Sequence, residues 1–125
     1  MSLILIVEDN ENNLELLRDV LQFNGYQTIE ATTGTDGVRL ARERKPDLVL
    51  MDIQLGDISG ITALAQIRAD PATANMPVVA VSASVMPDEQ QKIAASGFDE
   101  FVSKPINVTS FVQMVERFAG KPKAG

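Results

Sequence analysis

Three short, unbroken apolar runs constrain this chain more than any other feature: Leu3-Ile-Leu-Ile-Val7, Leu48-Val-Leu-Met51 and Pro77-Val-Val-Ala-Val81. A strand with one face in water alternates apolar and polar residues, whereas a parallel strand covered on both faces does not. Each run stops on polar groups: Glu8-Asp9-Asn10 after the first, Asp52 after the second, Ser82-Ala83-Ser84 after the third. In open α/β sheets, ligands bind at the carboxyl ends of inner strands. Asp52 therefore draws attention first. It closes its run and is followed by Gly56, Asp57, Ser59 and Gly60, a loop-forming cluster.

The stretches between the runs carry helical spacing. Leu14, Leu17, Val20 and Leu21 form a stripe that Leu16 and Phe23 widen, and Asn24-Gly25 supplies the stop. Residues 26–31 read as a strand. Thr33-Gly34-Thr35-Asp36 opens a second helix that runs to Lys45 and ends at Pro46. Its charges, Arg39, Arg42, Glu43, Arg44 and Lys45, read as a solvated face. A third helix carries Ile61, Leu64 and Ile67 and closes at Asp70-Pro71. A fourth, 87–96 with Gly97 as its stop, has little beyond Ile93, Ala94 and Ala95 to bury, so it is expected to be loosely held. Residues 98–103 give a last strand. Asn107 then caps a fifth helix with the stripe Val108, Phe111, Val112, Val115 and Phe118. Five strands alternating with five helices predict an α/β fold: a doubly wound parallel sheet with helices on both faces and right-handed crossovers. One domain over 1–120 and a short polar tail, 121–125, account for the 125 residues.

Composition removes several chemistries. The chain has no cysteine and no histidine, which excludes thiolate metal sites, thiol catalysis, Ser-His-Asp triads and a phosphohistidine of its own. A net charge of −6 argues against nucleic acid or an anionic membrane as partner. No stretch has the length of a membrane span, and the N-terminus lacks signal-peptide features, so a cytoplasmic location is expected.

What remains is a set of carboxylates with a cation and a hydroxyl. Glu8, Asp9 and Asp52 close together would repel one another and raise at least one pKa. A hard divalent ion relieves that repulsion, and Mg²⁺ suits carboxylates, a backbone carbonyl and water. With Lys104 and Ser82 at adjacent strand ends, the set describes the reception of a trigonal phosphoryl group. The metal takes one oxygen, lysine a second, and a hydroxyl with a backbone N–H the third. Asp52 would be the nucleophile, ionised already and needing no base.

Glu8-Asp9-Asn10, Asp52, Ser82-Ala83 and Lys104-Pro105 closely resemble the receiver domain of two-component response regulators, from Leu3 to about Phe118. The stretches Leu5-Ile-Val-Glu-Asp-Asn10, Lys45-Pro-Asp-Leu48, Leu50-Met-Asp-Ile-Gln-Leu55 and Ser103-Lys-Pro-Ile106 look most like the DivK-type single-domain regulators. The resemblance implies the flavodoxin-like strand order 2-1-3-4-5. It implies that Asp52 is phosphorylated, that Asp9 with Glu8 and the Gln54 backbone carbonyl holds Mg²⁺, and that Lys104 binds the phosphate. Ser82 would be the switch hydroxyl, Phe101 the switch aromatic, and the Lys104–Pro105 bond cis. Taken singly, Ser82 reads as a strand-end cap, Phe101 as core, and Glu8 as a solvated neighbour ranking below Asp9. The family usually has proline where this chain has Gly56, so the loop after Asp52 is expected to be more mobile.

The implied partners are a sensor histidine kinase or histidine phosphotransfer protein, met near Leu14 or Leu16, and a downstream protein target. The target would read the fourth helix, last strand and fifth helix, including Met86, Phe101 and the outward face near Met114. Without a carboxylate at Gln54 or Ser84, self-dephosphorylation is expected to be slow. Two other functions stay open on sequence. One is a pseudo-receiver that only binds protein. The other, less favoured because Gln54 stands where a second aspartate is needed, is a phosphoaspartyl hydrolase.

Overall fold

The apolar runs form the inner strands of a sheet. The structure, a computed structural model, describes residues 2–83 and 86–120. Ser84 and the 121–125 tail lie outside the described residues. In chain order the elements are β1 (Leu3–Val7), α1 (Glu11–Phe23), β2 (Gln27–Ala31), α2 (Gly34–Arg44) and β3 (Leu48–Asp52). They continue as α3 (Gly60–Ala69), β4 (Val78–Ser82), α4 (Pro87–Ala95), β5 (Glu100–Ser103) and α5 (Val108–Ala119). The five strands pair in parallel in the order β2-β1-β3-β4-β5.

Strand alternation divides the core in two. Leu5, Val7, Val49, Met51, Val78 and Ala80 meet Val38, Ala41, Leu64, Ile67 and Ile93, the buried residues of α2, α3 and α4. Ile4, Ile6, Leu48, Leu50, Val79 and Val81 meet Leu14, Leu17, Leu21, Phe111 and Val115 of α1 and α5. Both faces of β3 and β4 are therefore covered, which is why their sequences show no alternation.

Polar side chains set the helix starts. Asn10, Thr33, Ser59 and Asn107 each accept from the backbone N–H three residues on, at Asn13, Asp36, Thr62 and Ser110. Apolar spacing alone placed the start of α1 near Leu14, because its first turn, from Glu11, is polar. The last strand is shorter than expected. Phe98 turns into the core, and Asp99 spends its carboxylate on the Val78 N–H, at 2.8 Å, before β5 begins.

Four apolar residues do not lie where the sequence pattern puts them, the first being Leu16, which is exposed on α1. Phe23 is 91% exposed at the end of α1, and Val108 is exposed at the start of α5. Met114 is buried against the sheet, so it belongs to the core and not to an outward face. α4 matches its expected weakness: Ile93 is its one buried residue, and Met86 caps it with no side-chain bond. Its far end is better held, since Arg68 donates to the Gly97 carbonyl at 3.1 Å and to Asp99 at 3.0 Å.

Candidate functional site

Register brings the strand ends together. Val7 pairs with Met51, so Glu8 and Asp52 follow one another across adjacent strands. Asp52 pairs with Val81, and Ser82 with Ser103, the residue before Lys104. One oxygen from each of Glu8, Asp9 and Asp52 lies within 4.8 Å of the others. These acids line a cleft of about 220 Å³ together with Asn10, Gln54 and Lys104.

Within the cleft, the sequence ranking of the two neighbouring acids is reversed in burial. Glu8 is 1% exposed while Asp9 is open to solvent, so Glu8 is not a solvated neighbour. The Lys104 Nζ donates to Glu8 Oε2 at 2.8 Å and stands 3.6 Å from Asp52 Oδ2. The Asn10 N–H donates to the other Glu8 oxygen at 3.2 Å. Buried charge needs such partners, and Glu8 has one on each oxygen.

Asp52, 6% exposed, is left in a poorer position. Among the described residues its one backbone partner is the Gln54 N–H, at 3.1 Å. Burial, with Glu8's negative charge added, pushes its carboxyl up to about 6 against the pull of the Gln54 N–H and Lys104. Ser82 is 1% exposed, and its Oγ has no hydrogen-bond partner among the described residues. A buried hydroxyl without a partner is uncommon and calls for a reason. Its backbone is fixed, because the Lys104 N–H donates to the Ser82 carbonyl at 2.7 Å. The Lys104–Pro105 peptide is cis, as the resemblance implies.

Phe101 lies further from the cleft. It pairs with Ala80 on β5 and is half-buried against the α2, α3 and α4 core. Strand alternation puts Ser82 on the same sheet face as Ala80, so Phe101 and Ser82 are diagonal neighbours across β4 and β5.

The donor set fits a hard divalent ion, since Glu8, Asp9 and Asp52 each offer a carboxylate oxygen within 4.8 Å of the others. Next to the cleft, whose lining includes Ala83, the buried Ser82 hydroxyl is uncommitted among the described residues.

Asp57 escaped the sequence reading, in which it was only part of a loop. Its carboxylate accepts the Gly34 N–H at 2.8 Å and the Thr35 N–H at 3.0 Å, tying the loop after β3 to the start of α2. The expected mobility around Gly56 thus meets an anchor one residue on. A signal was present: the N–H groups that open a helix need acceptors, and an acid near them is favoured.

The sequence matches the family model of the response regulator receiver domain over residues 4–116. This chain belongs to that family. It is a receiver domain of two-component signalling, similar to the single-domain regulators. It is 39% identical to the polar-differentiation response regulator DivK of Brucella anthropi over 117 residues, covering 94% of this chain and 95% of that protein. A solved receiver domain of a sensor histidine kinase from Pseudomonas aeruginosa superposes with a TM-score of 0.89 at 27% identity, covering 95% of this chain and 98% of that one. That structure has a magnesium ion coordinated in its active-site cleft. The receiver domain of a DNA-binding response regulator from Colwellia psychrerythraea gives a TM-score of 0.85 at 28% identity, covering 94% of this chain and 97% of that one. The five-stranded order found here is the receiver fold. Among the described residues, no helix is long and apolar enough to cross a membrane.

Proposed function

We propose that Asp52 accepts a phosphoryl group from a phosphohistidine on a sensor histidine kinase or histidine phosphotransfer protein, in a cytoplasmic phosphorelay. A carboxylate oxygen of Asp52 forms the new O–P bond while the N–P bond of the donor breaks, leaving the imidazole with the electron pair. One observation carries this reading: Asp52 is a buried carboxylate short of partners, with the Lys104 Nζ 3.6 Å away and a buried, unpartnered Ser82 hydroxyl at the end of the adjacent strand.

Each remaining residue then has a task. Asp9, Asp52 and the Gln54 carbonyl are the donors for Mg²⁺. Glu8, whose oxygens already accept from Asn10 and Lys104, adds negative charge and steers the lysine. A bound Mg²⁺ would neutralise the acids and the charge on the phosphoryl oxygens. Lys104 stands between the Glu8 and Asp52 carboxylates, within reach of a group on either. The Ser82 hydroxyl donates to a phosphoryl oxygen by turning toward Asp52. That movement opens space for Phe101, and the coupled face of α4, β5 and α5 is the surface offered to a downstream protein. Residues 1–120 act as this one receiver unit. Gln54 is no general base, so self-dephosphorylation is slow.

Acetyl phosphate tests the chemistry without a cognate kinase. With Mg²⁺, the intact mass should rise by one phosphoryl group in wild type and not in Asp52→Asn, and EDTA should prevent the rise. A wild-type mass that stays unchanged under conditions that label another receiver would favour a pseudo-receiver that only binds protein.

A further inference from the structure

We infer that Asp57 is a positioning residue for the metal site: it holds the loop after β3 against α2, and so keeps the Gln54 backbone at the cleft that the acids line. The inference rests on the metal-site reading above and adds the residue that keeps the site assembled.

The loop runs from Ile53 to Ser59 and is secured at both ends. At the near end, the Gln54 N–H donates to Asp52 Oδ1. At the far end, Gly60 packs directly on the Asp52 carbonyl, with no room for a Cβ, and its N–H donates to the Ile53 carbonyl at 2.9 Å. Between these points lie Gln54 and Gly56, both exposed. Gly56 adds no constraint of its own. Its φ is outside the left-handed region, its N–H has no partner among the described residues, and a Cβ there would meet only Asp9 Oδ2 at 3.9 Å. Nothing in the fold therefore demands glycine at 56, and its freedom works against loop order.

Asp57 supplies the missing constraint. The first three N–H groups of α2 have no acceptor within the helix. Thr33 Oγ takes the third, from Asp36, and the Asp57 carboxylate takes the first two, from Gly34 and Thr35. The bond set is charge-assisted and lies at the positive end of the helix. Ile58 completes the seam by packing over Gly34, where a Cβ would come within 2.5 Å of its Cγ1. A loop that supplies a metal donor is thereby fastened to a helix that supplies none.

The test is Mg²⁺ affinity by calorimetric titration, with amide exchange on the metal-free protein. Asp57→Ala should weaken Mg²⁺ binding about tenfold, the scale on which loss of an outer supporting partner affects metal sites. It should also speed exchange at residues 34–35 and 54–58. Asp57→Asn keeps an acceptor oxygen without the charge and should fall nearer wild type than Ala does. Gly56→Pro, placed in the Asp57→Ala background, should restore most of the affinity by ordering the loop another way.

Wild-type protein that fails to bind Mg²⁺ at millimolar concentration overturns the metal-site reading itself. Wild-type binding with unchanged affinity in Asp57→Ala overturns the positioning role alone. Equal weakening in Ala and Asn with amide exchange at residues 34–35 and 54–58 unchanged would show that Asp57 acts on the metal through its charge and not by holding the loop, which also overturns it. Thermal midpoints of each variant separate these effects from misfolding, and the Asn variant keeps the question open to measurement if Ala does not fold.

Discussion

Asp52 shows how one buried carboxylate links stability to function. Its folded pKa, about 6, lies above the ordinary aspartate value. Between those values the folded protein binds the proton more readily than the unfolded chain, so stability falls as pH rises through this window. The penalty is complete above about pH 6, and absent below the unfolded value. Asp52→Asn should therefore stabilise the metal-free protein at pH 7.5 by about 1–3 kcal/mol, measured by urea unfolding, with the gain shrinking toward pH 4. A gain that grows on acidification would contradict the account. The neighbouring acids show where residue-scale reading stops. Consecutive acids after a strand point different ways, and sequence does not tell which turns inward. The backbone places Glu8 beside Lys104, 96 residues away in the chain, and leaves Asp9 in water.

Among the elements, the helices were legible by stripe and stop, and their starts by caps. What sequence could not show was depth. Leu14 and Leu16 both edge the α1 stripe, yet Leu14 packs into the core while Leu16 stays 46% exposed beside Pro105 and Ile106. Leu16 is thus the exposed apolar residue of α1 beside these two residues, and on the proposed function it is the one expected to meet a histidine-bearing partner. Leu16→Asp should slow phosphotransfer from that partner and leave acetyl phosphate labelling intact; equal loss of both would mean a damaged fold. Likewise α4, with Ile93 as its one buried residue and Arg68 fastening the chain just beyond it, should move at its Met86 end. A beryllofluoride phosphate mimic should change amide exchange over residues 86–103 in wild type and much less in Ser82→Ala. If both respond alike, Ser82 does not connect Asp52 to Phe101.

The whole molecule is a sheet between two helix layers, with Glu8, Asp9 and Asp52 gathered at the carboxyl ends of its inner strands. The architecture was readable because unbroken apolar runs admit few arrangements, and five site positions fell at successive strand ends. Sequence shows that the start of α2 needs acceptors but not that Asp57 supplies them, since only the folded sheet brings the loop after β3 to that helix. At this scale the buried acids are a source of instability. Millimolar Mg²⁺ should raise the thermal midpoint of wild type by mass action, and Asp9→Ala should abolish the rise; an unchanged wild-type midpoint would count against the metal site.

The central claim is that Asp52 itself takes the phosphoryl group. Borohydride reduces an acyl phosphate to the alcohol, so protein treated with acetyl phosphate and Mg²⁺ and then reduced carries a permanent mark at the acceptor. Peptide mass mapping should find that mark at Asp52 alone, and only when Mg²⁺ was present. A mark at Glu8 or Asp9, or the same mark in the presence of EDTA, would contradict the account.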